Sequence, residues 1–397
     1  MEFAFNVEQE AFRAKLCAFL DAELTDEVRE QHRDLREWDG WEAGFADAFR
    51  RRLGARGYIA APWPTEYGGG GRDIIDRVLF AEEMEYHGAP AFDRSITYIP
   101  DALLQFGSEA QKQELLPRLG RGECTFFLGY SEPDAGSDLA GLQTRAEQRG
   151  DTFVITGQKA YSSGADRADY GWVAARTDPD APKHRGISLF IVDMTSPGIE
   201  IAGHATTAGW EHHSVAFDQV EVPRSALVGE LNEGWRVIMG AIDAERASLG
   251  APGLVRAQLD RLVEHCRETP DEGPAGLAGT LLDDDAVADR LARLAIEVDA
   301  AQLTSYWVAS LVAHGERGQH EASLALLYKR ETARALDVAA LELLGPTGAL
   351  RPDAPGAPLG GAVEREYLDH LYFHFAAGGF DITRNVIATR GLGLPRG

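Results

Sequence analysis

The hydrophobic period changes twice along the chain, and this double switch limits the folds that the sequence can adopt. Up to about residue 120 the apolar residues have helical spacing, and from about Phe126 they fall in short β-rich runs between Gly, Asp and Pro turns. After Pro223 the helical spacing returns. The order helical, β, helical predicts an α+β protein with three domains, over residues 1–124, 125–230 and 231–397.

Single elements can be predicted within these regions. The first helix carries one apolar face, formed by Phe12, Leu16, Phe19 and Leu20. Further helices are expected at 81–86 and 109–119, and strands at 153–155, 172–175, 187–192 and 215–222. Apolar residues at 287, 291, 294 and 298 predict a long helix that ends near Ala313. Turn-forming residues predict loops at 62–71, 269–279 and 349–361.

Charge and cysteine content exclude several classes of function. With 63 acidic and 39 basic residues the formal charge is −24, which repels nucleic acid and anionic membrane surfaces. The cysteines Cys17, Cys124 and Cys266 are few and far apart, as in a reduced cytoplasmic protein. The amino terminus lacks the basic n-region of a signal peptide, and no apolar run is long enough for a membrane helix. No Rossmann or P-loop motif is present.

Seven segments occur in an order that carries a family resemblance. They are PTEYGGGG, FGSEAQKQELLPRLGRGE, SEPDAGSDL, ITGQKAYSSGAD, KHRGISLFIVD, VPRSALVGELNEGW and RNVIATRGLGLPR. This series resembles the acyl-CoA dehydrogenase family over nearly the whole chain. The resemblance implies an N-terminal helical domain, a middle β-barrel and a C-terminal four-helix bundle. It also implies FAD as cofactor, and the dehydrogenation of an acyl thioester to the trans-2-enoyl thioester.

In the family, the SEPDAGSDL segment wraps the flavin ring, and Ser137 within it also lies near the substrate. The resemblance assigns cofactor binding here and in the following YSS turn to Leu128, Gly129, Tyr130, Ser131, Gly136, Ser137, Tyr161, Ser162 and Ser163. Tyr161 stands where the family usually has Trp, and Ser163 stands where a hydroxyl usually donates to flavin N5. Tyr161 keeps an aromatic ring at its position, and Ser163 keeps a hydrogen-bond donor.

The usual catalytic base of the family is missing. The equivalent C-terminal stretch, 375–384, places Ala377 at the base position. Some branches carry the base on the helix that follows the β domain, directly before an Arg, and Glu245 precedes Arg246 here. The resemblance therefore implies Glu245 as base, with Asp243 and Arg246 contacting the substrate. A solvated charged patch on a helix would also explain this acid–arginine pair.

Two other groups of polar residues are weaker candidates. Asp381 is the acid of the C-terminal turn, but it aligns four residues after the usual base, at a position that is structural or near the flavin. His370 and His374 are four residues apart, as metal ligands on one helix can be, without cysteine or carboxylate partners at a suitable spacing. We therefore predict no metal site.

The segment that binds the adenylate half of FAD across the dimer in homotetrameric members is altered. The family's QxxGG reads Glu342, Leu343, Leu344, Gly345, Pro346, so an amide donor is replaced by a charge and a backbone N–H is lost. The second such motif is not recognisable after Arg267. This pattern resembles the heteromeric α2β2 acyl-CoA dehydrogenases of actinobacterial steroid side-chain degradation. It implies a dimer or tetramer, in which Glu342 and Gly345 contact FAD and an unlike subunit completes the site.

Two other functions fit the sequence. Flavin-dependent oxidases or monooxygenases of this fold need no α-proton base, and a non-catalytic partner subunit would explain the altered QxxGG segment. Glu245 argues against an oxidase, and the retained SEPDAGSDL and YSSG segments argue against a non-catalytic subunit. For a dehydrogenase, an electron-transfer flavoprotein is the expected electron acceptor. The sequence leaves open which acyl group is bound and whether CoA or a carrier protein carries it.

Overall fold

The computed structural model describes residues 4–270, 279–316, 318–352, 354–376 and 378–395, without the side chains of residues 243–249 and 319. The chain forms two compact units. We call Met1–Ala22, Ile74–Ala89 and Arg246–Gly397 the helical unit, and Glu23–Asp73 and Pro90–Glu245 the sheet unit.

Before the sheet, the described part of the chain forms seven α-helices. They are α1 (Val7–Glu23), α2 (Asp26–Gln31), α3 (Ala43–Ala55), α4 (Ile74–Tyr86), α5 (Arg94–Thr97), α6 (Ile99–Phe106) and α7 (Glu109–Gly120). Helix α7 starts where the Ser108 side chain accepts from the Gln111 backbone N–H and the Gln111 side chain accepts from the Ser108 N–H. This reciprocal cap satisfies two backbone donors that the first helical turn leaves without partners.

The sheet has eight strands. They are β1 (Phe126–Gly129), β2 (Arg145–Arg149), β3 (Thr152–Lys159), β4 (Tyr170–Arg176), β5 (Ile187–Asp193), β6 (Ile199–Ala205), β7 (Glu211–Pro223) and β8 (Leu227–Val228). The strand order is β6-β7-β3-β2-β4-β5-β8, and β1 pairs in parallel with β4. Phe153, Phe190 and Phe217 lie in the core of this sheet and are almost completely buried.

After the sheet, six further α-helices are seen among the residues that the structure describes. They are α8 (Gly234–Leu249), α9 (Gly253–Glu268), α10 (Asp285–Ala313), α11 (Gln319–Leu344), α12 (Ala362–Leu371) and α13 (Phe380–Val386). In the helical unit, α9, α10, α11 and α12 share one apolar core that includes Leu259, Leu294 and Leu336. Helix α9 lies so close to α4 that a Cβ on Gly253 would be 2.0 Å from the Glu82 carbonyl oxygen. Glycine is therefore required at this contact.

The structure confirms the predicted elements. All four predicted strand runs lie within observed strands, and the long helix ends at Ala313. The helix expected at 81–86 begins earlier, at Ile74, because Val78 and Leu79 continue its buried face. The predicted loop at 269–279 falls mostly on residues 271–278, outside the described residues. The domain limits at 124/125 and 230/231 remain a prediction, and no described helix is long and apolar enough to cross a membrane.

Candidate active site

Tyr130 follows directly on β1, and both its backbone carbonyl and its side-chain hydroxyl are hydrogen-bonded. Its backbone carbonyl accepts a hydrogen bond from Lys159 Nζ at 3.1 Å. Its hydroxyl accepts from Trp172 Nε1 at 2.9 Å and shares a 2.7 Å bond with the Tyr98 hydroxyl. Because Trp172 and Tyr98 are almost completely buried, the position of the Leu128–Ser131 segment is fixed from within the sheet unit.

A buried ion pair closes the turn that follows. Lys159 Nζ lies 2.8 Å from Glu132 Oε1, and the two side chains are 0% and 7% exposed. The Glu132 carboxylate also accepts from the backbone N–H groups of Gln143 at 2.6 Å and Thr144 at 2.9 Å. The pair therefore ties together three segments of chain, at 130–132, 143–144 and the end of β3.

Both partners of this pair are charged at neutral pH. Burial lowers the pKa of Lys159 to about 8, and the Glu132 carboxylate opposes this shift. Burial would raise the pKa of Glu132, but Lys159 and the hydrogen bonds from residues 143 and 144 outweigh it and hold the pKa below its ordinary value. A charge buried at this depth is stable only with such partners.

The YSS turn follows β3. Tyr161 has a positive φ of 55° and a side chain that is 66% exposed. The Ser162 hydroxyl is buried and has no hydrogen-bond partner among the described residues, while its backbone N–H donates to the His213 carbonyl at 2.8 Å. Ser163 Oγ lies 3.0 Å from His212 Nδ1. The turn thus presents an exposed aromatic ring beside two hydroxyls.

The Gly136–Ser137 segment is exposed, and the space around Gly136 is open. A short backbone bridge between Glu132 and Ala135 closes the turn before it. A Cβ added to Gly136 would meet no atom within 4 Å, so Gly136 is not required for folding at this position. Asp138, next in sequence, pairs with Lys183 on the surface.

Helix α8 is anchored to the sheet unit at its beginning and middle. A Cβ on Gly234 would lie 2.8 Å from the Ser188 backbone, and a Cβ on Gly240 would lie 2.5 Å from the Phe106 ring. The Tyr98 hydroxyl donates to the Ile238 carbonyl at 3.3 Å. The backbone of α8 continues through the predicted base, but the side chains of Asp243, Glu245 and Arg246 lie outside the described residues.

The remaining predicted cofactor residues belong to the helical unit. Glu342, near the end of α11, forms an ion pair with Arg290, and Gly345 has a positive φ of 57°. Asp381 is exposed in the first turn of α13. Ala377, at the usual base position, lies outside the described residues, but Arg330 donates to the Ala376 and Gly378 carbonyls beside it, each at 3.1 Å.

The two histidines considered as metal ligands have protein partners. His370 Nδ1 lies 2.8 Å from Asp337 Oδ2, and both side chains are buried. His374 Nδ1 lies 3.2 Å from the Leu371 carbonyl oxygen. Among the described residues, no group of three or more His, Cys, Asp and Glu side chains could hold a metal ion.

The predicted flavin-ring residues fit a flavin. Leu128–Ser131, Gly136–Ser137 and 161–163 all belong to the sheet unit, where Lys159 and Trp172 hold Tyr130. The buried Ser162 hydroxyl without a protein partner is a polar group that a bound ligand would satisfy. The other predicted cofactor residues, Glu342, Gly345 and Asp381, belong to the helical unit. The sheet unit therefore contains only the residues predicted to bind the flavin ring.

Several residues of the site were not predicted from the sequence. Glu132 and Lys159 stand in two of the seven segments that carry the resemblance, and a lysine that ends a buried strand needs an acidic partner. That signal could have identified the pair. Tyr98, Trp172 and His212 carry no such signal, because their hydrogen bonds depend on how distant parts of the chain fold.

The chain is similar to known proteins along its whole length. Family models of the acyl-CoA dehydrogenase N-terminal, middle and C-terminal domains match residues 6–123, 128–220 and 232–392. Acyl-CoA dehydrogenase FadE26 of Mycobacterium tuberculosis is 34% identical over 406 residues, which cover 100% of this chain and 99% of the relative.

Two solved structures are similar along their full length. The Tcur3481-Tcur3483 steroid ACAD has a TM-score of 0.90 and the ChsE4-ChsE5 complex of Mycobacterium tuberculosis a TM-score of 0.89. Each is 33% identical to this chain, with 100% of both chains covered. The chain belongs to the acyl-CoA dehydrogenase family, whose members are FAD-dependent oxidoreductases.

Proposed function

We propose that the chain is a catalytic subunit of a heteromeric acyl-CoA dehydrogenase, acting on a CoA thioester whose acyl group is the side chain of a steroid. The reaction removes one hydrogen from the α carbon and one from the β carbon and leaves a trans-2-enoyl thioester. The observation that carries this proposal is the flavin-ring segment around Tyr130, which the Lys159, Trp172 and Tyr98 hydrogen bonds hold in place. The steroid class is supported by the solved steroid ACAD, which matches the whole chain.

The proton-transfer role falls to Glu245 on α8. A carboxylate in this position takes the α proton, and a positioned base of this kind contributes about 10²- to 10⁴-fold to the rate. Arg246 and Asp243 bind the substrate beside it, together with Ser137 from the sheet unit. Support comes from the backbone of α8, which the Gly234, Ile238 and Gly240 contacts hold against the sheet unit.

FAD, when bound, supplies the acceptor for the hydride that leaves the β carbon. The residues predicted to hold its ring are Leu128–Ser131, Gly136, Ser137 and Tyr161–Ser163. A donor in a fixed position stabilises negative charge that develops on its acceptor, because no reorganisation is needed during the reaction. The Glu132–Lys159 pair provides that rigidity for the 130–132 segment, since both groups are buried and hydrogen-bonded to each other and to the backbone.

We further propose that an unlike subunit completes the adenylate half of the FAD site. Glu342 replaces a neutral amide donor and is already paired with Arg290. A carboxylate at this position repels a pyrophosphate, so the altered segment favours a site that a different chain completes. An electron-transfer flavoprotein is the proposed electron acceptor.

The test is anaerobic reduction of the complex, formed by co-expression with a candidate unlike subunit. The visible flavin band is expected to bleach with a steroid side-chain CoA thioester, and less with short branched acyl-CoA or carrier-protein thioesters. Glu245→Ala should retain flavin but lower the bleaching rate by at least about 10²-fold. Glu230→Ala is the matched control, because Glu230 is an exposed acid shortly before α8.

Four outcomes would contradict the proposal. Normal bleaching in Glu245→Ala would exclude this residue as the base, and loss of bleaching in Asp381→Asn alone would assign the role to the C-terminal turn. Consumption of dioxygen without an enoyl product would favour the oxidase function. A stoichiometrically flavinylated homo-oligomer of this chain would argue against the unlike subunit.

A further inference from the structure

His212, on β7, touches the YSS turn without belonging to any motif of the sequence. Its Nδ1 lies 3.0 Å from the hydroxyl of Ser163, and the His213 carbonyl accepts from the Ser162 backbone N–H at 2.8 Å. Strands β3 and β7 are antiparallel neighbours, with Lys159 opposite Val215. Two adjacent residues of β7 thus hold two adjacent residues of the turn.

The His212 ring is confined by its surroundings. It makes edge contacts with the rings of Trp210 at 4.5 Å and Tyr161 at 5.9 Å, measured between centroids. Burial, with a smaller contribution from His213, lowers the pKa of His212 to about 4. The imidazole is therefore neutral under ordinary conditions and carries a single N–H, on either Nδ1 or Nε2.

The position of that hydrogen decides what Ser163 can do. A serine hydroxyl has one hydrogen to donate. If Nε2 carries the imidazole hydrogen, Ser163 must donate to Nδ1, and its hydrogen is used within the protein. If Nδ1 carries it, His212 donates to Ser163, and the hydroxyl hydrogen points to another acceptor.

We propose that His212 is a positioning residue that donates its Nδ1–H to Ser163 and so keeps the Ser163 hydroxyl available as a donor to the flavin. This inference rests on the proposed place of Ser163 beside the flavin ring. The contact of His212 Nδ1 with the Ser163 hydroxyl is the route by which it acts on the cofactor.

The direct test is the tautomer of His212. The complete complex is prepared with ¹⁵N-histidine, and the signal of His212 among the 11 histidines is assigned by its loss in His212→Asn. Imidazole ¹⁵N shifts distinguish a protonated Nδ1 from a protonated Nε2. The expected result is protonated Nδ1 at neutral pH, and protonated Nε2 would overturn the inference.

The second test measures the midpoint potential of the bound flavin with a redox dye, which needs no substrate. His212→Leu removes the group that orients the Ser163 hydroxyl and should make the potential more negative, by less than Ser163→Ala does, because the hydroxyl itself remains. His212→Asn places an amide N–H near the former Nδ1 and should restore most of the difference. A shifted potential in Ser163→Ala with an unchanged one in His212→Leu would refute the inference, whereas no shift in either variant would instead refute the proposed place of Ser163 beside the flavin.

His204→Asn is the matched control. His204 lies opposite His212 in the β6–β7 register, is exposed and bonds to Ser214 Oγ at 2.9 Å. Its substitution should leave the potential unchanged, and an equal shift would show that the strand and not the donor is responsible. Neither test uses an acyl thioester. The result for His212 can therefore be interpreted even if the proposed substrate or the proposed base is wrong.

Discussion

Replacing Lys159 by methionine tests the main support of the flavin-ring segment. The substitution keeps an unbranched side chain of similar length and removes the ammonium group that lies 2.8 Å from Glu132. Glu132 would remain buried with two backbone N–H donors, from residues 143 and 144, as its partners. The Tyr130 carbonyl would lose its bond from Lys159 as well.

The expected cost follows from the burial of the pair. Removing one partner of a buried ion pair costs about 3–5 kcal/mol, because the other charge stays buried without compensation. The two remaining N–H donors offset part of this penalty, so we expect the lower end, about 3 kcal/mol. The double variant Glu132→Gln with Lys159→Met removes the uncompensated charge and should recover at least about half of the loss.

Urea unfolding followed by tryptophan fluorescence measures these differences. Lys183→Met is the matched control, because Lys183 and Asp138 form a similar pair whose side chains are 51% and 65% exposed. An exposed pair contributes about 0–1 kcal/mol, so this variant should unfold close to the wild type. If Lys159→Met destabilises no more than Lys183→Met does, the structural role of the buried pair is wrong.

Three further variants test other features of the chain. Gly253→Ala should lower the unfolding temperature clearly, because its Cβ would lie 2.0 Å from the Glu82 carbonyl oxygen, and an unchanged temperature would contradict the close contact of α9 with α4. Gly136→Ala should unfold like the wild type but bind FAD more weakly in equilibrium dialysis, since open space surrounds this residue; unchanged affinity would remove Gly136 from the site. Burial would lower the pKa of His370, but Asp337 and nearby acids raise it, so its stabilising effect is present below about pH 6.5 and is lost as pH rises through the folded-state pKa. Unfolding midpoints across this range should therefore fall more steeply in the wild type than in His370→Gln, and parallel profiles would exclude this effect.

The elements of the fold could be predicted because their signals are local. The spacing of Leu291, Leu294 and Val298 on α10 and the β-rich run 187–192 in β5 depend only on nearby residues. The short strand β1 was missed as an element, since four residues carry too little periodicity. Its parallel pairing with β4 joins Phe126 to Tyr170, and a contact over that distance leaves no pattern in the chain.

Residues of the candidate site also differ in whether the sequence could predict them. Tyr130, Ser131 and Ser163 could be named from motifs, because these residues stand in short strings that resemble a family. Tyr98 and His212, which contact Tyr130 and Ser163, could not be named, since the Tyr98–Tyr130 and Ser163–His212 bonds join residues 32 and 49 positions apart. The predicted roles of Asp243, Glu245 and Arg246 remain predictions, because their side chains lie outside the described residues.

The donor directions of the hydrogen bonds at the Tyr130 hydroxyl limit which ligand groups this residue can bind. Trp172 can only donate to the Tyr130 hydroxyl, and while Tyr98 donates its single hydrogen to the Ile238 carbonyl, Tyr130 donates to Tyr98. In that arrangement a ligand meets the ring and backbone of Tyr130 but receives no hydrogen from its hydroxyl. A phenylalanine at position 98 would remove this acceptor, so a residue between α5 and α6 influences the polarity that position 130 offers to a ligand.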